Sequence, residues 1–235
     1  MCIRDSTTTG ANRATDDIIN EYTLSTPYDI STATYAGDSE RCAIVNSTKT
    51  TSTSLGFKFS DNGMKIFVAQ RGLNNVANSY VNRLDLTTAY DVSTCTYHSD
   101  VNVDTNALQN GTNAGNRSTG GKNNLQGMAI TNDGTKLFLT MNERDGNQSI
   151  KEYSFSTPYD LSTLTIEPVA IILQKENPFG LSFSKDGKRI FQSYIGVDDS
   201  AGTTDTGIVE QYSLTTAYDL STCLLYTSPS PRDFT

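Results

Sequence analysis

The sequence predicts an all-β chain assembled from repeated four-stranded antiparallel units. Two repeated phrases and the distance between their copies carry that expectation. A Tyr-Asp phrase is written four times: "INEYTLSTPYDIST" from Ile19, "VNRLDLTTAYDVST" from Val81, "IKEYSFSTPYDLST" from Ile150 and "VEQYSLTTAYDLST" from Val209. A Gly-rich phrase lies between the copies: "GFKFSDNGMKIF" at Gly56–Phe67, "GMAITNDGTKLF" at Gly127–Phe138 and "GLSFSKDGKRIF" at Gly180–Phe191. The two alternate in strict order with periods of about 53–71 residues, the length of one supersecondary unit in a repeat protein.

The Gly-rich phrase supplies two strands, a and b. Asn62-Gly63, Asp133-Gly134 and Asp186-Gly187 mark a hairpin, because this pair tolerates the positive φ angles of a tight turn. Alternating apolar and polar residues precede the pair, and β-rich runs such as "KIFVA" and "KLFLT" follow it. The Tyr-Asp phrase supplies strand c ("VNRLDL", "IKEYSF"). A Ser/Thr-Pro/Ala-Tyr-Asp turn follows, in which Pro fixes φ and Asp accepts a backbone N–H. Strand d begins at "STCTYH" and "STLTIEP". The chain therefore reads c-d, a-b-c-d, a-b-c-d, a-b-c and a damaged d.

Four strands per period indicate β-propeller blades rather than helical solenoids. The expected organisation is a half blade (18–50), blades at 51–120 and 121–176, and a blade lacking a proper last strand at 177–223. These flank a non-native or loop segment at 1–17 and a Pro/Ser tail at 224–235. Three and a half blades do not close a ring, since propellers have about four to eight. "MCIRDS" and "LLYTSPSPRD" fit nothing in the repeat and resemble translated sequencing-adapter sequence, so the chain reads as a fragment.

"SFSKDGKRIF" and "AITNDGTKLFLT" resemble the Asp-Gly-Lys hairpins of YVTN and lactonase-like β-propellers. Joined to "YSFSTPYDLST", they are similar to repeats of marine bacterial and phage surface proteins, over roughly residues 18–223. The resemblance implies a fold, and the fold hosts many activities.

The formal net charge is −8 and the sequence pI about 4.6. No basic footprint exists to release counterions, which argues against nucleic acid as a partner. The longest apolar run, "VAIIL" at Val169–Leu173, is too short to insert in a bilayer. The four cysteines, Cys2, Cys42, Cys95 and Cys223, match neither a disulfide framework nor a zinc site by spacing. Cys95 and Cys223 share a slot with Ala33 and Leu164, which reads as a small buried apolar position.

In a meander of this kind the a–b and c–d turns leave one face, and the b–c and d–a connections leave the other. The first set is constant and the second varies in length and composition, so recognition is expected on the b–c/d–a face. The candidate ligand-binding residues there are Arg71, Asn142, Arg144, Asp145, Asp198 and Asp199. Asp198, Asp199 and Asp205, or Asn142, Glu143 and Asp145, offer oxygen ligands to calcium. Neither run has a known calcium-loop spacing, so no cofactor is expected. His98 is the only histidine, and no Gly-x-Ser-x-Gly elbow is present. "GNRSTGGKNN" at Gly115–Asn124 fails the phosphate-loop spacing. Residues at strands a, namely Lys58, Ala129 and Ser182, would line a central channel and do not look catalytic. The repeated Tyr28, Tyr90, Tyr159 and Tyr218 read as sugar platforms or as plugs packing each turn on its neighbour; recurrence beside a turn Asp favours the plug.

The resulting expectation is a non-enzymatic binding or adhesion module of a secreted, cell-surface or virion protein. Its partners would be a protein or glycan ligand and the remaining blades of a parent protein. The rival expectations are a lactonase- or hydrolase-like enzyme with a central-channel site completed elsewhere, and a structural spacer.

Overall fold

The computed structural model describes residues 18–44, 52–72, 79–103, 124–142, 148–173, 175, 177–195 and 207–224. Every regular element among them is a strand or a single 3-10 turn. Strands β1 (Ile18–Asn20) and β2 (Tyr22–Leu24) pair with β4 (Arg41–Ala43) and β3 (Ala33–Tyr35) respectively, two short two-stranded sheets that together form the leading pair, the first unit. Three four-stranded antiparallel sheets follow. The second sheet is β5 (Ser52–Phe59), β6 (Lys65–Gly72), β7 (Tyr80–Leu86) and β8 (Cys95–Asn102). The third is β9 (Asn124–Ile130), β10 (Lys136–Asn142), β11 (Gln148–Phe155) and β12 (Leu164–Leu173). The fourth is β13 (Pro178–Phe183), β14 (Arg189–Tyr194), β15 (Ile208–Leu214) and the two-residue β16 (Cys223–Leu224).

Each four-stranded sheet is a meander with its strands side by side in chain order. The register repeats as well: Phe67 faces Arg83, Phe138 faces Glu152, and Phe191 faces Gln211. Such repetition follows from the sequence, because a one-residue slip would turn each buried set outward.

Strand b reads as a continuous apolar run because both its faces are covered. Ile66 and Val68 join a core with Ile19 and Cys42 of the leading pair, whereas Phe67 and Ala69 join a core with Leu137, Leu139 and Met141 of the third sheet. Phe138 in turn packs with Ile190, Tyr194 and Tyr212 of the fourth. The hydrophobic core is thus three successive layers between stacked sheets. A fully buried phenylalanine such as Phe67 contributes ~2–3 kcal/mol to this stacking. The first strands lie together: β9 touches β5 on one side and β13 on the other.

One expectation about cysteines is overturned. Cys42 of β4 and Cys95 of β8 form a disulfide across 53 residues, with Cα atoms 5.8 Å apart. It crosses from the leading pair to the second sheet, and Cys42 is fully buried. Spacing rules describe cysteines brought together within one small unit; here two units each donate one, so the pair becomes visible only when the sheets stack. Cys223 in the same slot as Cys95 is half-buried and unpaired.

Candidate functional site

At the end bearing the a–b and c–d turns, the sequence repeats because the geometry repeats. In the a–b turn, Gly63 N–H donates to Ser60 O at 2.9 Å, and Asn62 Oδ1 accepts from Met64 N–H at 3.1 Å and Ser60 Oγ at 2.8 Å. Gly63, Gly134 and Gly187 have φ of 70°, 68° and 69°, while the preceding Asn or Asp stays at negative φ. The expected two-residue turn with two positive φ angles is therefore a longer turn with one, and the Asx side chain serves as a hydrogen-bond acceptor.

The Tyr-Asp turn carries the other positive φ. Tyr28, Tyr90, Tyr159 and Tyr218 have φ of 63°, 62°, 63° and 55°, the place where a type II turn ordinarily takes Gly. In the three full sheets the tyrosine ring is used. Tyr159 N–H donates to Gly134 O at 2.9 Å, its hydroxyl donates to Asn132 O, and its ring stacks on Phe67 of the preceding sheet at 5.8 Å. Tyr218 N–H likewise donates to Gly187 O at 2.9 Å, and its ring lies tilted 6.5 Å from Phe138. The following Asp caps a 3-10 turn: Asp160 Oδ1 accepts from Ser162 N–H at 3.0 Å and Ser162 Oγ at 2.7 Å. Those hydrogen bonds, the hydroxyl's first, lower its pKa. Thr163 Oγ1 closes the turn on Asp160 O at 2.9 Å. A cation from the preceding sheet then takes the tyrosine carbonyl: Arg83 reaches Tyr159 O at 3.3 Å, and Lys136 reaches Tyr218 O at 2.7 Å. Tyr159 and Tyr218 are partly buried plugs, Tyr90 lies on Gly63 but stays 51% exposed, and Tyr28 stands 99% exposed.

The opposite end is assembled differently. Arg71, at the end of β6, donates to Gln126 Oε1 of β9 at 3.2 Å, and its guanidinium lies 6.0 Å from the Phe179 ring of β13. One half-buried candidate residue thus bridges three sheets. Asn142, also half-buried, accepts from Gln148 Nε2 at 3.3 Å and joins β10 to β11. Beside them Asn82 donates to Gln70 Oε1 at 2.7 Å, and its own Oδ1 is buried without a partner. Between the third and fourth sheets, Glu210 Oε2 accepts from Tyr194 at 2.9 Å and Tyr212 at 2.8 Å, with Lys175 at 3.9 Å from Oε1. Burial raises the pKa of both phenols, that of Tyr212 to about 12. This cluster was not legible in the repeat, because Glu210 occupies the slot held by Asn82 and Lys151 in the other sheets.

A groove of about 290 Å³ runs along the first strands of the three sheets near the turn end, and Lys58, Ala129 and Ser182 all line it. Its other polar residues are Asn132, Ser184, Lys185 and Tyr218. Two ammonium groups, hydroxyls and an amide make a donor-rich surface suited to an anionic or hydroxylated ligand. Among the described residues no group of three His, Cys, Asp or Glu side chains is placed to hold a metal ion. His98 is exposed on β8, 3.8 Å from Asp85, which Arg83 grips at 2.7 Å.

The structure brings Arg71 and Asn142 to the same end of the sheets. Arg144, Asp145, Asp198 and Asp199 lie outside the described residues, as do Glu143 and Asp205. The phosphate-loop look-alike at 115–124 falls outside them but for Asn124, which starts β9. No helix among the described residues is long and apolar enough to cross a membrane. Compared with known proteins, the chain matches no family model and no curated protein.

Proposed function

We propose that the chain contributes consecutive blades of a β-propeller and serves as a non-enzymatic binding or adhesion module of a larger secreted, cell-surface or virion protein. Its ligand, a protein or a glycan, is met on the face carrying the b–c and d–a connections. The observation that carries this reading is the contrast between the two ends. At the turn end, the aspartate, serine and threonine of each Tyr-Asp turn are hydrogen-bonded to one another. At the other end, Arg71, Gln126, Asn142 and Phe179 converge from three sheets, and the longer polar connections depart from there. Arginine, amide and aromatic groups together are the usual means of holding a polar ligand. The Cys42–Cys95 disulfide supports an oxidising compartment. The motif resemblance to YVTN-type propellers and surface-protein repeats agrees with both.

Glycan and protein arrays probed with the labelled chain test the reading. Arg144→Ala with Asp145→Ala should abolish a hit, and Tyr159→Ala with Asp160→Ala should abolish it only as far as folding suffers. Loss from the second pair alone, with circular dichroism unchanged, would refute the proposed face. The enzyme reading draws on the groove along the first strands; its donors are equipped to bind an anion, and hydrolysis of a lactone panel by the chain would favour it.

A further inference from the structure

We propose that the outer edge of β1 and β2 is a docking site for a β-hairpin of the class apolar-x-Phe/Ile-Ser/Thr-x-Asp/Asn-Gly-x-Lys/Arg, supplied by a partner polypeptide. β1 pairs with β4 and β2 with β3, so among the described residues their other edge has no strand beside it. In the three full sheets that edge is taken by strand b of such a hairpin. The leading pair keeps every feature the hairpin would meet. Tyr28 holds φ 63°, Asp29 Oδ1 accepts from Ser31 N–H at 3.0 Å, and Thr32 Oγ1 donates to Asp29 O at 2.7 Å. The turn is therefore already in the docked conformation, which removes much of the ordering cost of association.

What differs is cover. Tyr28 is 99% exposed, whereas Tyr159 and Tyr218, seated on a glycine and a phenylalanine, are partly buried. Leu24 is partly exposed, whereas its counterparts Leu86, Phe155 and Leu214 are buried and donate their N–H groups to the hairpin carbonyls of Met64, Thr135 and Lys188 at 2.8–2.9 Å. A second observation identifies the occupant's chemistry. Glu21 Oε2 is buried without a hydrogen-bond partner. Glu21 occupies the slot of Glu152, whose carboxylate receives Lys136, the cation two residues past the turn glycine, at 2.6 Å. The leading pair thus offers an open strand edge, a tyrosine shaped to lie on a turn glycine, and an unanswered carboxylate at the position of the hairpin's cation. Strand addition to an exposed edge is an established mode of peptide capture. The inference rests on the observed sheet stacking and is independent of the ligand proposed for the opposite face.

The test uses the full chain and a fluorescent synthetic peptide with the sequence of residues 124–142, followed by anisotropy. Saturable binding is expected, with protection of the Leu24 amide from exchange. Tyr28→Ala in the chain should weaken binding at least tenfold, as should Gly134→Ala in the peptide. Tyr28 is almost fully exposed, so its removal leaves the fold intact. Glu21→Lys should weaken the Lys136 peptide and be rescued by a Lys136→Glu peptide. Absence of binding, or binding indifferent to Tyr28→Ala and Gly134→Ala, would overturn the proposal. So would self-association of the chain that Tyr28→Ala abolishes, because the occupant would then be a second copy.

Discussion

Replacing Gly134 by alanine should destabilise the protein by about 3 kcal/mol, through two separable effects. Gly134 sits at φ 68°, where an L side chain costs ~1 kcal/mol. The added Cβ would also stand inside 3.0 Å of three Tyr159 ring carbons. The ring must then leave, forfeiting its stacking on Phe67, ~1 kcal/mol. The hydrogen bonds made by Tyr159 N–H and its hydroxyl account for about 1 kcal/mol more. Urea denaturation in a double-mutant cycle separates the effects. In a Tyr159→Ala background only the φ cost remains, so Gly134→Ala should cost ~1 kcal/mol there, a coupling of about 2 kcal/mol. Gly56→Ala is the control, since nothing lies within 4 Å of its Cβ position and its φ is ordinary; its expected change is between zero and a gain of ~1 kcal/mol. Equal penalties for Gly134→Ala with and without the Tyr159 ring would refute the steric argument.

Three further outcomes follow from the same geometry. Reduction of the disulfide, or Cys95→Ser, should lower stability by about 4 kcal/mol, the loop-entropy value for a closure of 53 residues, and non-reducing peptide maps should show Cys42 joined to Cys95. Glu152→Gln should cost about 2 kcal/mol, because its nearly buried carboxylate answers both Lys136 Nζ and Leu220 N–H; Lys136→Met in the same chain should recover part of the loss in urea melts. Stability should fall as pH rises from about 10 through about 12: burial raises the Tyr194 and Tyr212 pKa values above those of the unfolded chain, so the native state holds their protons more tightly and loses that advantage on ionisation. Tyr194→Phe should flatten that slope, and a stability flat from pH 9 to 12 would contradict it.

The strands and turns were legible because their signals are local. Asp133-Gly134 marks a reversal whatever surrounds it, and "KLFLT" is apolar throughout because both faces of β10 are covered. The loop-face cluster was less legible. Arg71 stands out as a lone cation in an unrepeated segment, but nothing near it in the chain announces Gln126 or Phe179, which arrive from two later sheets. Glu210 was hidden for a related reason: its slot varies between units, and only packing against Tyr194 and Tyr212 gives it a role.

By itself, then, the sequence determined the order of strands, the register and the corner each unit turns, since these depend on period-two patterning and on residues within a few positions of one another. Tertiary structure alone decided the Cys42–Cys95 pair, the left-handed tyrosines and the bridge at Arg71. Each depends on groups far apart in the chain: the rings of Tyr90, Tyr159 and Tyr218 lie on the glycines of the a–b turns, where an added Cβ would stand inside 3.0 Å of them. The first Tyr-Asp turn shows the same dependence from the other side. Tyr28 has the conformation of its three counterparts and, among the described residues, no glycine beneath it, so one phrase seats its ring on a glycine in the later units and leaves it 99% exposed in the first.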